Sequence, residues 1–272
     1  MSVFQPIKKT KAVEQVAEAI RTFILEGGLV PGQKLPSERD LAVQFEVNRG
    51  TVREAIGRLE ALGLVRVRHG GATEVSDFLV TAGLQLLPFL IAPGGRPNWK
   101  VVDDLLDMRA MLLDWTAKQA AIRCAEQPDA VASELKRLDG AIERLAQPGQ
   151  TMEGLKLADF DFFEGLVRIT ENRVLSLVIS AIRRVYFQIP DLFDALYDSA
   201  YFSADSPKRI VEALRQGDAE SAQRWMRQYV ARAKEAMTRT SHRAFTDRRI
   251  RTTDDRVQTG TNSKKEKDGN RS

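Results

Sequence analysis

Two arginines and a glycine, Arg49, Gly50 and Arg53, lie at the start of a predicted amphipathic helix. The apolar residues that follow recur at three- and four-residue spacing: Val52, Ala55, Ile56, Leu59 and Leu62. The arginines therefore project from another side of the first turns. Guanidinium groups there can bridge two acceptors on guanine, and Gly50 permits a close backbone approach. The pattern fits a helix that enters the major groove of DNA. An ordinary helical hairpin with a solvated arginine face would show the same spacing.

A shorter helix precedes this one. Ser37 is its predicted N-cap, with the acidic Asp40 three residues later, and its buried side comprises Leu41, Ala42 and Phe45. Asn48 is placed to cap the second helix, and Gly63 ends it where a left-handed residue is favoured. The two helices and their turn thus form a helix-turn-helix unit.

The residues after Gly63 predict a two-stranded hairpin. Residues 64–68 alternate apolar and basic side chains, His69-Gly70-Gly71 forms a turn, and residues 72–76 return as a second strand. Arg66, Arg68 and His69 are available there for backbone or minor-groove contacts, although His69 also fits an ordinary turn residue. The hairpin completes a winged helix-turn-helix pattern.

The run LVPGQKLPSERDLAVQFEVNRGTVREAIGRLEALGLVRVRHGGATEV resembles the DNA-binding domain of the GntR family of bacterial transcription regulators. The resemblance covers residues 13–76 and implies contact with double-stranded operator DNA. The candidate contacts are the matching positions, together with Asn48 and Gly50 at the start of the second helix: Arg39, Asn48, Arg49, Gly50, Thr51, Arg53, His69 and Gly70.

The composition of the chain is that of an ordinary globular protein of two domains. Its 272 residues are 43% hydrophobic and 29% charged, and the net charge of +4 makes any basic signal local. A single cysteine, Cys124, excludes an internal disulfide and a cysteine-cluster metal site, and it is predicted to lie in the core. Neither a secretory signal nor an apolar run of about 20 residues is evident, so we expect a cytoplasmic protein without a membrane span.

The second half of the chain is predicted to be helical. A linker helix at 77–91, bent or ended by Pro88, precedes a Pro/Gly break at 93–97. Further helices are predicted at 98–126, 128–146, 152–170, 172–188, 191–200, 207–216 and 218–240, with caps at Asn172, Ser206 and Asp218. Their apolar stripes must be buried against one another, so the fold class is mainly α, with an antiparallel helical bundle after the winged domain.

Four segments follow from these patterns. The DNA-binding domain comprises residues 1–77, including a polar arm up to Lys11. A linker helix and loop occupy 78–97, the all-helical domain 98–241, and a basic, disordered tail 242–272.

The helical half is similar to the FadR subfamily of the same family, in the runs DLLDMRAMLLDWTAKQAA, ADFDFFEGLVRITENRVL and RIVEALRQGDAESAQRWMRQYV. The resemblance implies a homodimer with an effector-binding domain. Many members of the subfamily hold a divalent metal with one aspartate and three histidines. The matching positions here are Asp159, Phe163, Pro207 and Tyr229. Such a site needs neutral imidazole ligands, and none of these four residues is a histidine, so the sequence predicts no metal.

Without a metal, the resemblance favours a long-chain acyl-CoA or fatty acid as effector, and Phe163 makes the pocket more apolar. The fatty-acid-responsive member of the subfamily has a glycine and an acidic residue that help to admit its ligand, where this chain has Val230 and Arg232. A small organic acid is therefore the alternative effector. Candidate effector contacts are Arg109, Asp159, Phe163, Asn172 and Tyr229. Arg109 could bind a carboxylate or phosphate, or instead form a salt bridge with Asp107 or a neighbouring helix.

The sequence therefore predicts a transcription regulator controlled by a small molecule. Two other classes compete with it. An enzyme fused to a DNA-binding domain would need a longer second half with a cofactor lysine, and no nucleophile-histidine pair or glycine-rich phosphate loop stands out. An architectural DNA-binding protein without an effector is the remaining alternative.

Overall fold

The computed structural model describes residues 10–68, 72–197 and 204–239. These residues form two compact units. The first runs to Val102 and includes Val178–Ile189, and the second comprises Asp103–Leu177 and the described residues from Pro190 onward. Among the described helices, none combines the length and apolar character that a membrane span requires.

The first unit begins with three helices and a hairpin. In chain order these are α1 (Thr10–Leu25), α2 (Glu38–Gln44), α3 (Arg49–Ala61), β1 (Val65–Val67) and β2 (Thr73–Val75). The two strands are antiparallel, with Val65 opposite Val75 and Val67 opposite Thr73. The apolar stripes of the three helices meet in one core, which includes Val13, Ile24, Leu41, Val52 and Leu59. The predicted winged helix-turn-helix fold is confirmed.

A backbone segment before α2 also joins the hairpin, which the sequence did not predict. Lys34 forms a bridge with Glu74, and the Leu35 amide donates to the Thr73 carbonyl at 2.8 Å. This segment ties the N-terminal side of α2 to the wing, so the helix-turn-helix and the hairpin form one packed body.

The linker differs from the single helix predicted at 77–91. It consists of α4 (Phe78–Thr81), a 3₁₀ turn (Leu84–Leu86), α5 (Leu87–Ile91) and a second 3₁₀ turn (Pro93–Gly95). The break falls at Ala82 and Gly83, whose backbones are extended, and Pro88 lies at the start of α5 without bending it. The prediction of one continuous helix was wrong because Gly83 interrupts it.

The second unit is all-helical. Most of α6 (Trp99–Glu126) lies in this unit, although its first turn belongs to the first unit. The other helices are α7 (Pro128–Ala146), α8 (Met152–Ile169), α10 (Asp205–Arg215) and α11 (219–239). A further helix, α9 (Arg173–Gln188), begins in this unit and continues in the first. The apolar faces of α6, α7, α8, α10 and α11 share one core, which includes Leu113, Leu138, Phe162, Ile210 and Met226. Cys124 lies in this core, as predicted.

Close packing of α7 on α8 depends on one glycine. A Cβ atom on Gly165 would lie 2.5 Å from Leu138 Cδ2, nearer than real Cβ contacts occur. The missing side chain therefore allows α8 to pack against α7, which brings its inward-facing polar residues into the core.

Several local predictions can be compared with the described elements. Asn172 and Asp218 are caps, since they accept from the amides of Leu175 at 3.0 Å and Ser221 at 2.9 Å. Two predictions were wrong. The helix predicted at 191–200 is a 3₁₀ segment, Pro190–Tyr197, and α10 begins at Asp205, so Ser206 lies inside the helix and does not cap it.

The ends of the chain bear on two other predictions. The polar arm is shorter than predicted, because Thr10 and Lys11 already belong to α1. The predicted tail at 242–272 lies outside the described residues.

Candidate functional site

The turn between α2 and α3 is fixed by side-chain caps at both helices. Ser37 Oγ accepts from the Asp40 amide at 3.2 Å, and Asn48 Oδ1 accepts from the Thr51 amide at 2.9 Å. Glu46, in the turn, has a left-handed backbone with φ of 53°. These local interactions set where α3 begins, and they therefore set which residues its first turn exposes.

The first turn of α3 presents the predicted polar face. Asn48, Arg49, Gly50 and Arg53 are all exposed, and so is Arg39 on α2. A Cβ atom on Gly50 would lie 3.1 Å from Asn48 Oδ1, so glycine here leaves room for the cap as well as for a close ligand. The arginine charges, the free helix amides and the bare backbone thus lie together on one surface.

Thr51 lies apart from this face. Its side chain is only 2% exposed, and its hydroxyl donates to Asn48 Oδ1 at 3.2 Å. In this conformation Thr51 holds the Asn48 cap in place through its hydrogen bonds, and the neighbouring side chains form the exposed surface.

Arg53 has an intramolecular partner that the sequence did not reveal. Its Nη2 donates to Glu38 Oε2 at 2.8 Å, and its Nε lies 3.2 Å from both carboxylate oxygens. The hydrogen bond from Arg53 is the main cause that lowers the pKa of Glu38, and the charge of Arg49 adds to it. The same hydrogen bond raises the pKa of Arg53. A ligand of Arg53 must therefore compete with Glu38 or bind alongside it.

The wing carries two exposed arginines. Arg66 is exposed on β1, and Arg68 at its end forms an ion pair with Glu74 at 2.8 Å. The predicted contacts His69 and Gly70 lie outside the described residues.

A second polar site lies in the core of the helical unit, around Asp159 on α8. The Asp159 side chain is almost fully buried, and it accepts hydrogen bonds from the hydroxyls of Tyr197, at 2.9 Å, and Tyr229. Arg109 on α6 lies 3.9 Å from its Oδ2. The same guanidinium lies 4.6 Å from the centre of the Phe163 ring, which in turn contacts Tyr229.

Four of the five predicted effector residues thus meet at one point: Arg109, Asp159, Phe163 and Tyr229. Asn172 caps α9 and is not part of this cluster. Arg109 does pair with a neighbouring helix, which was the other interpretation of this residue, and its partner is the cluster's own carboxylate.

Burial raises the pKa of Asp159, and the charge of Arg109 and the two tyrosine hydroxyls act against that rise. The cluster therefore holds a carboxylate that is costly to keep ionised without its partners. Tyr197 was not a candidate from the sequence. It is the last residue of the 3₁₀ segment, in a stretch predicted as a helix at 191–200, and nothing in that pattern indicates a buried partner. The only available signal was that a buried carboxylate needs several hydrogen-bond donors.

The positions that match the subfamily's metal ligands lie in the described part of the chain. No three His, Cys, Asp or Glu side chains are grouped there as metal ligands. Pro207, at one position matching the subfamily's metal ligands, is buried in the first turn of α10. Asp159 is the one carboxylate of that set.

Comparison with known proteins gives matches in both halves of the chain. The model of bacterial regulatory proteins of the gntR family matches residues 12–75, and the FCD domain model matches residues 104–232. The chain is 32% identical over 221 residues to the HTH-type transcriptional regulator Mce2R of Mycobacterium tuberculosis, covering 81% of this chain and 89% of that protein.

Two further similarities are more distant. The chain is 26% identical over 207 residues to the fatty acid metabolism regulator protein of Yersinia pestis, covering 72% of this chain and 82% of that protein. The solved structure of Lar, which controls the expression of the Listeria monocytogenes agr system, shares the fold. Its TM-score is 0.50 at 17% identity, over 88% of this chain and 99% of that one.

The domain matches and the similarity to Mce2R over most of both chains establish the family. The chain belongs to the GntR family of bacterial regulatory proteins, in its FadR-like branch with a C-terminal FCD domain, and it is a DNA-binding transcriptional regulator, not an enzyme.

Proposed function

We propose that this regulator binds its operator through the first turn of α3. Its affinity for the operator changes when an acyl chain binds in the helical unit. The observation that carries the DNA-binding part is the exposed surface of Arg49, Gly50 and Arg53, fixed by the Asn48 cap. Arginine can bond both acceptors of a guanine, and the helix N-terminus attracts phosphate.

The remaining contacts would surround this centre. Arg39 is exposed on α2 and would add a contact from that helix, and His69 and Gly70 at the wing tip would reach the backbone or the minor groove. Thr51 would act through the Asn48 cap, because its side chain is buried. A homodimer would present two such surfaces to a palindromic operator, with half-sites about one helical turn apart.

We further propose a division of labour along the chain, with DNA binding in residues 1–77, a linker at 78–97, effector binding and dimerisation at 98–241, and a basic tail at 242–272. A regulator that binds chromosomal DNA acts in the cytoplasm.

The preferred effector is a long-chain acyl-CoA or fatty acid. Support comes from the cluster at Asp159, where Phe163 and two tyrosines provide an apolar environment around one cation, Arg109. An anionic head group could approach Arg109 while Asp159, whose pKa burial raises, takes up a proton. The similarity to a fatty acid metabolism regulator, at 26% identity, agrees with this choice.

Two alternatives are kept. A small organic acid would use the same Arg109 fork without needing the apolar surroundings. An effector-independent DNA-binding protein would leave the cluster as a purely structural network.

The DNA-binding part is tested with the Arg49→Ala, Arg53→Ala double variant in gel shifts, using DNA selected by the full-length protein from a random library. We expect the specific complex to weaken at least about 100-fold, since two base-contacting arginines are lost. An Arg137→Ala, Arg144→Ala control removes two exposed arginines from α7 and should bind normally. Equal binding by both double variants would rule out the proposed recognition surface.

The effector is tested by calorimetry with oleoyl-CoA, oleate and pyruvate on the full chain. We expect oleoyl-CoA or oleate to bind and Arg109→Met to weaken that binding about tenfold or more, because the head group loses its cation. Arg144→Met, on the surface of α7, is the control. Binding of pyruvate alone that Arg109→Met weakens supports the organic-acid alternative, and the absence of any binding that depends on Arg109 supports the effector-independent one.

A further inference from the structure

A cavity of about 360 Å³ lies in the first unit, between α1 and the linker. Its polar lining comes from Glu18, Arg21 and Thr22 on α1 and from Gln188 at the end of α9, and its apolar lining includes Phe89. The loop residues Pro93, Gly94 and Gly95 complete the wall. None of these residues belongs to the helical core around Asp159.

Arg21 is the unusual residue of this cavity. It is only 6% exposed, and its guanidinium stacks on the Phe89 ring at 3.7 Å from the ring centre. The nearest carboxylate in the described part of the chain is that of Glu14, at 3.8 Å, which exceeds hydrogen-bond distance. Glu14 instead pairs closely with Arg58, at 2.8 Å. Arg21 is therefore a desolvated cation whose own ion pair is long.

Burial lowers the pKa of Arg21, while the charges of Glu14 and Glu18 act in the opposite direction. Arginine nevertheless stays protonated in proteins, so the desolvation cost persists until an anion offsets it. A guanidinium stacked on an aromatic ring keeps its N–H edge available for a planar or tetrahedral oxyanion.

The glycine loop is shaped to lie directly against α1. Gly94 and Gly95 have left-handed backbones with φ of 55° and 77°, and a Cβ atom on Gly94 would lie 3.0 Å from the Thr22 methyl carbon. A side chain there would crowd Thr22 at the cavity wall. The wall therefore combines main chain, a hydroxyl and the Gln188 amide, which are groups that can bond an anion alongside Arg21.

We propose that this cavity binds a small metabolite through a carboxylate or phosphate group held by Arg21. Its volume is at the lower end of the range for small-molecule sites, about 300–1,000 Å³, which favours a small ligand. Glu18, in the same wall, disfavours a second negative charge on the ligand. This site is separate from the effector site proposed above and does not depend on it.

The test is calorimetry on the full chain with inorganic phosphate and with pyruvate, at constant ionic strength, so that the two arms distinguish the anion classes. We expect at least one probe to bind, and Arg21→Gln to weaken that binding about tenfold or more. Glu18→Gln should tighten it about threefold, since it removes a repelling charge. Arg96→Gln removes an exposed charge next to the loop but outside the cavity lining, and it should change binding less than about twofold.

Absence of binding by both probes at millimolar concentration would overturn the site. So would an equal loss in Arg21→Gln and Arg96→Gln, which would indicate general attraction to basic residues. Circular dichroism checks the folding of each variant. Should Arg21→Gln fail to fold, Glu18→Gln decides the matter, because Glu18 is exposed and its exchange should leave the fold intact. Unchanged or weaker binding by that variant then contradicts the proposal.

Discussion

The carboxylate of Glu38 on α2 and the guanidinium of Arg53 on α3 form a two-pronged ion pair, with Nη2 2.8 Å from Oε2. The Arg53 side chain is 74% exposed, so solvent screens the pair and its contribution to stability is small. Its larger effect is on the surface proposed to bind DNA, where it orients one arginine and offsets its charge. The two helices of the helix-turn-helix thus jointly set the charge of that surface.

Replacing Glu38 with glutamine should therefore strengthen binding to non-specific duplex DNA. The variant removes a negative charge from the surface and frees Arg53 to contact phosphate. We expect the slope of log affinity against log salt to steepen by about one, measured by fluorescence anisotropy at several salt concentrations. Glu54→Gln on α3, the helix that carries Arg53, is a control for charge alone, since its carboxylate pairs with Arg58. An unchanged slope would mean that Arg53 does not reach DNA in the non-specific complex.

The Asn48 cap allows stability and DNA binding to be separated. Asn48→Ala loses the bond to the Thr51 amide and should lower the free energy of unfolding by about 1 kcal/mol. Asn48→Asp can keep that bond and should stay within about 0.5 kcal/mol of the wild type. The aspartate nevertheless adds a negative charge where phosphate would bind, so it should weaken operator binding clearly. Chemical denaturation and gel shifts measure the two effects. Normal DNA binding by Asn48→Asp would show that DNA contacts a different surface of the protein.

The sequence predicted the parts of these sites that depend on local chain geometry. The caps of Ser37 and Asn48 act on amides three residues away, so residue types and spacing suffice to find them. Contacts across the fold were missed, because neither the Glu38–Arg53 pair nor the Tyr197–Asp159 bond leaves a periodic trace. The break in the linker at Gly83 was visible as a residue type, but the apolar residues around it favoured one helix.

The buried carboxylate of the helical unit should give a pH-dependent stability. Burial raises the pKa of Asp159 above its ordinary value of 3.8, so between 3.8 and the raised value the folded state binds more protons than the unfolded state. Stability of the wild type should fall as pH rises through that window, and Asp159→Asn lacks this titration. The free energy of unfolding of the variant minus that of the wild type should therefore increase with pH and then level off. Denaturant unfolding at a series of pH values measures it, and a difference that decreases with pH would contradict the raised pKa.

Two glycines, one inside α3 and one just after its end, should respond oppositely to replacement by alanine. Gly57 lies inside α3 with open space around its missing Cβ, so Gly57→Ala should raise the free energy of unfolding by about 0.5–1 kcal/mol. Gly63 has φ of 76°, and a Cβ atom there would lie 2.7 Å from the Thr81 carbonyl oxygen.

Gly63→Ala should therefore lower the free energy of unfolding by about 2 kcal/mol, through backbone strain and displacement of α4. The hydroxyl of Thr81 donates to the Gly63 carbonyl at 2.8 Å, so this displacement also breaks the hydrogen bond that joins the end of α3 to the linker. Denaturant unfolding of both variants under the same conditions provides the comparison. A Gly63→Ala protein as stable as Gly57→Ala would show that the end of α3 can move away from α4 without loss of stability. The linker would then not be anchored to α3.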